Sequence, residues 1–255
     1  MNILLINHYA GSPEHGMEFR PYYLAKKWVE LGHDVTIFSS SFSHLRYKQP
    51  IVEASYSKVN ISNIKYVFFK TSRYKGRGIG RIINIIQFLL SITKYHKKVI
   101  TKNPDVIIAS STYPFDFLVS KYLTRSYKSK IIYEVHDLWP LSLTDIYGFS
   151  KYNPMIFLMQ LNENYNYKNS DYVVSMLPNA KKHMEKHGLL SEKFNFIPNG
   201  YQKDIEKQNS KPSGAIYDQL NKMKKNGKKI IGYTGYHSKQ NSLMCLVKAA
   251  KEASK

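Results

Sequence analysis

The residues able to do chemistry follow short apolar runs. Behind the opening Ile3-Leu4-Leu5-Ile6 comes NHYAGSPEHGMEFR, which supplies Gly11, Ser12, Gly16, Glu18 and Arg20. Glycine permits positive φ and close backbone approach. A helix that starts behind such a loop turns the positive end of its dipole toward it, and arginine can grip a phosphate through two parallel N–H donors. Binding of a phosphate or a sugar hydroxyl suits this set. It reads equally as an ordinary strand-to-helix turn, with Glu18 and Arg20 as a local ion pair. The dinucleotide fingerprint G-x-G-x-x-G is absent.

A second stretch, YEVHDLWPLS, places His136 and Asp137 at the end of an apolar run. A histidine there can hydrogen-bond substrate hydroxyls, or simply satisfy a nearby carbonyl. Asp137 reads as a polar contact or as an N-cap for the turn at Leu138–Trp139. Two further runs end in FIPNGY, with Asn199 and Gly200, and in IIGYTGYHSKQNSL, with Gly235, His237 and Lys239. Ser110, Ser111 and Pro114 also close an apolar run and read as a plain strand-to-helix turn. No Ser-His-Asp pattern or covalent nucleophile stands out. The nine histidines offer no metal site to this reading, and none is expected.

The elements that must position these residues alternate. Strands are expected at Asn2–Ile6, Asp34–Ser39, Ile64–Phe69, Asp105–Ala109, Lys130–Val135, Asp171–Met176, Phe194–Ile197 and Lys229–Thr234. Leu24, Ala25, Trp28 and Leu31 recur at helical spacing, and Gly32 stops that helix. Further helices are expected at Ile79–Ile100, Phe115–Arg125, Pro154–Lys168 and Asn179–Lys186, with two more around the last strand. Short apolar strands separated by helices imply a mostly parallel, doubly wound α/β sheet covered on both faces. In such a sheet, ligands bind beyond the carboxyl ends of the strands, where all of these candidate residues fall.

Composition narrows the partners. The 38 Lys+Arg against 18 Asp+Glu give a net charge of +20, which favours nucleic acid, anionic membrane or phosphorylated small molecules. No helix-turn-helix, zinc-finger spacing or aromatic RNA-binding signature accompanies the charge, so nucleic acid is not an expected partner. The single cysteine, Cys245, excludes an internal disulfide framework and fits a reducing cytoplasm. No signal peptide is recognisable. The most apolar stretch, Ile82–Ile92, is interrupted by Asn84, Gln87 and Ser91 and falls short of the about 20 apolar residues of a spanning helix.

Taken in order, the opening loop, ELGHDVTIFS, YEVHDLWPLS, FIPNGY and IIGYTGYHSKQNSL resemble the family-4 retaining glycosyltransferases of the GT-B type. The likeness is to the bacterial transferases, L-fucosamine-transferase-like, that build O-antigen and capsule repeats on a lipid carrier. It implies a Rossmann-like acceptor-side domain over residues 1–200, a linker and helix over 201–227, and an incomplete second Rossmann-like domain over 228–255. The family's E-x7-E carboxylate pair lies beyond this sequence, so a truncated protein or natural fragment is expected, unable to turn over alone; the alternative is a non-catalytic fragment that docks on membranes or on a partner transferase. The resemblance places His136 near the sugar's reacting carbon and makes Gly235, His237 and Lys239 the match to the loop that cradles the donor diphosphate. The usual Arg and Lys spacing of that loop is not reproduced. A nucleotide sugar, UDP-activated, is the implied donor, a polyprenyl-diphosphate-linked saccharide the acceptor, and no cofactor is implied.

One helix adds a partner. Arg73, Lys75, Arg77 and Arg81 precede the isoleucine-rich run at Ile82–Ile92, and Lys94, Lys97, Lys98 and Lys102 follow it. A basic-flanked apolar helix suits an anionic membrane surface, here the inner leaflet of the cytoplasmic membrane, to which the protein would attach peripherally. The alternative is a buried, sheet-covering helix with solvated lysines at its ends.

Overall fold

The computed structural model describes residues 1–76, 78–200, 213–235, 237 and 241–253. Eight strands form one sheet: β1 (Asn2–Ile6), β2 (Asp34–Ser40), β3 (Tyr56–Ile61), β4 (Ile64–Phe69), β5 (Val106–Ala109), β6 (Lys130–Val135), β7 (Tyr172–Ser175) and β8 (Phe194–Phe196). Their order is β3-β4-β2-β1-β5-β6-β7-β8, parallel except for β3 against β4. From β1 the chain moves out through β2 to β4, then returns to β5 and proceeds the other way. The direction reverses between β1 and β5, which opens a crevice at their carboxyl ends.

Strand periodicity explains why both faces are covered. Ile3 and Leu5 of β1 pack with Val35, Ile37, Tyr66 and Phe68 under Tyr22 and Ala25 of α1 (Arg20–Glu30). Leu4 and Ile6 point the other way. They join Phe38, Val67 and Phe69 beneath Phe88 and Ile92 of α2 (Ile79–Val99) and Leu123 of α3 (Asp116–Tyr127). A third cluster sets Ile131, Tyr133, Val135 and Val173 against Tyr167 of α5 (Pro154–Asn169) and Met184 of α6 (Lys181–Lys186). The short α4 (Leu141–Asp145) precedes α5, whose first turn is capped by the Asn153 side chain accepting from Met155 N at 2.9 Å.

Two elements depart from the sequence reading on this sheet. β3 is not among the expected strands, because YSKVNI is polar at alternate positions and half-exposed as an edge. It is held by a two-residue hairpin in which Ser62 and Asn63 both take positive φ, the turn whose twist matches paired strands. α4 was likewise not expected.

The chain divides into two compact units, 1–199 and 200–255. The second holds α7 (Ala215–Lys225) and α8 (Met244–Ala253). The strand expected at Lys229–Thr234 does not form: Ile230, Ile231 and Tyr233 are exposed, and among the described residues no strand lies beside them to complete a ladder. Leu246 and Val247 of α8 are exposed as well. Among the described residues, no helix is long and apolar enough to cross a membrane.

Candidate functional site

At the strand ends, the crevice gathers residues from four strands. Asn7, just past β1, donates from Nδ2 to Ser110 O at 2.6 Å, and His8 N donates to Ser111 Oγ at 3.1 Å, so the β1 and β5 exits are tied together. Ser110 Oγ donates to Glu134 Oε2 at 2.5 Å. Its one proton is therefore committed, and it accepts from His136 Nε2 at 3.1 Å. That contact puts a proton on Nε2 and leaves Nδ1 as the ring nitrogen with no partner among the described residues. Glu134 and His136 stand two apart on β6 and just beyond it, so the pleat places them on one face.

Charge is shared within this cluster. Glu134 and His136 are both almost fully buried, and Glu134 Oε2 lies 3.4 Å from His136 Nε2. Burial works to lower the histidine's pKa, but the hydrogen bond and charge of Glu134, with Glu18 behind them, outweigh it and raise the pKa above 6.5. Burial likewise favours the neutral acid of Glu134. His136, Arg20 and Ser110 overcome this and keep it ionised.

Arg20, the first residue of α1, completes the cluster in a way the sequence does not suggest. Its Nε and NH2 reach Glu134 Oε1 at 3.1 and 3.0 Å. NH1 donates to Pro198 O and Asn199 Oδ1, and NH2 to Ile197 O. The guanidinium thus fastens β6 and the segment after β8 to α1. It is neither a free phosphate clamp nor the partner of Glu18. Asn199 is held in the same set, with Nδ2 3.7 Å from Met176 Sδ.

The opening loop also differs from expectation. Gly11 N donates to Glu18 O at 2.8 Å, Ser12 N to Gly16 O at 3.1 Å and Gly16 N to Ser12 O at 2.7 Å. Ser12 Oγ bonds His15 Nδ1 at 2.8 Å. The backbone donors expected to face an anion are used inside the loop. The glycines answer to that closure: a Cβ on Gly11 would fall 1.8 Å from Gly16 O, and Gly16 combines φ +98° with the Tyr47 ring against it. Arg46, buried beneath, donates to Ala10 O and Ser40 O and holds the loop down on β2.

Beside His136 lies a second buried set. His8 Nε2 meets Asn84 Oδ1 at 2.7 Å, so that nitrogen donates, and Nδ1 accepts from Tyr113 OH at 2.9 Å. Burial pushes His8 down to about 3, which keeps it neutral. Asp116 accepts from Ser111 N through Oδ2 at 2.9 Å, and its buried Oδ1 has no hydrogen-bond partner among the described residues. Burial raises its pKa to about 6.

The remaining candidates fall outside this cluster. Asp137 is exposed and caps nothing: α4 begins after Pro140, without a side-chain cap. Glu18 is half-buried, and its side chain makes no hydrogen bond or ion pair among the described residues. Gly200, Gly235 and His237 belong to the second unit, where a Cβ on Gly235 would meet the ring of Tyr233. Lys239 and Arg77 lie outside the described residues. Ser110 and Ser111, read as part of a plain turn, are central, and Glu134 and Asn7 were missed. The signal for Glu134 was an acid inside the apolar run KIIYEV, two residues before His136. Between α5 and α6, Glu163 lies beside His183 and His187, a four-residue histidine spacing not singled out from the sequence.

The sequence pattern described as Glycosyltransferase Family 4 matches residues 15–204, which takes in the site from Gly16 to Asn199. Among solved structures, the chain is similar to sucrose-phosphate synthase from Thermosynechococcus elongatus, with TM-score 0.57 and 14% identity over 86% of this chain and 52% of that one. A second structure of that protein gives TM-score 0.53 and 12% identity over 88% and 98%. The Anabaena protein HepE, solved in complex with UDP and glucose, gives 0.49 and 13% over 89% and 50%. The chain spans about half the length of the first of these solved chains. No curated protein matches the sequence.

Proposed function

The chain belongs to Glycosyltransferase Family 4, and from that premise we propose that it serves as the acceptor-side part of a retaining transferase. The donor is a nucleotide sugar, UDP-activated, and the acceptor a polyprenyl-diphosphate-linked saccharide of O-antigen or capsule synthesis. In that reaction the bond from the sugar's anomeric carbon to the donor phosphate breaks. A bond to an acceptor hydroxyl forms on the same face, and the hydroxyl proton leaves with the nucleoside diphosphate.

The observation that carries the reading is the buried Ser110–Glu134–His136 cluster at the point where the sheet's strand order reverses. Glu134 raises the pKa of the imidazole and Ser110 fixes Nε2, so Nδ1 remains as the positioned ring nitrogen for a sugar hydroxyl, a charge-assisted donor whenever the ring is protonated. A donor held in place before the substrate arrives needs no reorganisation during reaction. The glycine loop shapes the wall of the crevice rather than supplying N–H groups. Gly235, His237 and Lys239, which the resemblance assigns to the donor diphosphate, carry no part of this argument. The test is sugar transfer from a panel of UDP-sugars to a polyprenyl-diphosphate saccharide by this chain joined to a complete second Rossmann-like domain. His136→Gln should lower turnover by about 100-fold or more, the effect typical of one preorganised donor. Equal turnover by variant and parent would remove His136 from the reaction.

The same reading takes the protein to the inner face of the cytoplasmic membrane through α2. Its buried stripe of Phe88, Ile92 and Val99 leaves Ile79, Ile82, Ile83, Ile86 and Leu90 exposed, a second apolar stripe that a sheet-covering helix does not require.

A further inference from the structure

On the far flank of the sheet, Gln160, Glu163, Asn164 and Tyr167 share one face of α5 at helical spacing. They confront His183 of α6 and His187, the C-cap residue of that helix. Glu163, His183 and His187 each offer one ligand atom, and these atoms all lie within 4.8 Å of one another. His183 Nε2 stands 3.2 Å from Glu163 Oε1, and the two imidazole rings are 4.4 Å apart. Bonds of about 2.0–2.1 Å to a tetrahedral zinc ion would separate its ligands by about 3.3 Å, so this pair needs almost no movement.

The surroundings fit an ion. Glu163 is buried, and among the described residues no lysine or arginine pairs with it; its cationic neighbours are the His183 and His187 rings, and only when they are protonated. A carboxylate removed from water requires a positive partner. Both of its oxygens are oriented, Oε1 by Tyr167 OH at 2.9 Å and Oε2 by Gln160 Nε2 at 2.7 Å. His187 Nδ1 is engaged by Gln160 Nε2 at 2.8 Å and Asn164 Oδ1 at 3.0 Å, which orients the ring. Such outer hydrogen bonds are what set ligand orientation around a metal.

We propose that Glu163, His183 and His187 bind one divalent first-row transition ion of the zinc class, clamping α5 to α6. Two imidazoles and a carboxylate suit zinc, and three protein ligands leave the fourth corner to water. The site shares no residue with the His136 cluster and its test reads zinc uptake rather than sugar transfer, so the two readings stand or fall separately.

The test is calorimetric titration of zinc chloride into the tag-free, chelator-stripped full chain carrying Cys245→Ser, which removes the exposed thiol as a rival ligand. Saturable uptake of one zinc per chain, with a rise in Tm, is expected. The His183→Gln/His187→Gln double variant should bind more than about tenfold more weakly, since even outer partners of a ligand are worth about 10–100-fold. Tyr167→Phe, which keeps the buried ring, should weaken binding by about tenfold. If the double variant loses its far-ultraviolet dichroism, Glu163→Gln replaces it, with the same loss expected. Absence of saturable uptake by the parent would overturn the site, as would equal uptake by parent and ligand variants.

Discussion

At the scale of single residues, one carboxylate organises the site. Glu134 takes Arg20 on one oxygen and Ser110 on the other, and its charge raises the pKa of His136. The signs of the two shifts define a pH window. A histidine whose folded pKa is raised contributes stability in full below its unfolded value of 6.5 and loses it as pH rises through the folded value. A glutamate held below 4.5 contributes in full above that value and loses it as pH falls. The pair is therefore intact at mildly acidic to neutral pH and loosens on either side. Glu134→Gln should lower the His136 pKa, read from ring NMR shifts against pH. It should also cost about 3–5 kcal/mol in urea unfolding, because Arg20 is left buried without its counter-charge. An unmoved His136 titration would show that Glu134 does not set its charge.

At the scale of elements, much of the chain was legible. Short apolar runs such as NILLI and KIIYEV suit strands covered on both faces, and β1, β4 and β6 fall where their residues place them. Local pattern failed where the partner decides. β3 is half-polar and exists because β4 offers it an edge, whereas KIIGYT is apolar and forms no strand because nothing beside it completes a ladder. The site was legible only in part for the same reason. His136 could be chosen from its place after a strand, but Arg20 meets Glu134 across 114 residues, a pairing no spacing reveals. The same limit applied to α2, whose basic flank is not uniformly free: Arg81 donates to Tyr9 OH at 2.9 Å and stacks on that ring. Its exposed isoleucines carry the membrane proposal better. Ile82→Gln with Ile86→Gln should reduce flotation with anionic liposomes and leave the fold unchanged, since both residues are close to half-exposed. Attraction of the remaining basic residues should fall as salt rises. Flotation insensitive to the two substitutions would point to another surface.

At the scale of the molecule, a Rossmann-like sheet of the GT-B kind brings the exits of β1, β5 and β6 and the segment after β8 to one crevice, and the first unit contains all of that machinery. The central claim, that the crevice around His136 receives the sugar, can be tested on this chain alone. The measurement is the NMR signal of the His136 ring, assigned through His136→Gln, during titration with a nucleotide sugar and separately with a polyprenyl-diphosphate saccharide. The account predicts that at least one of them shifts the His136 signal to saturation. The His8 ring, neutral and bonded at both nitrogens, should keep its charge state throughout. Saturable binding with the His136 signal unmoved by both compounds, or no binding of either, would contradict it.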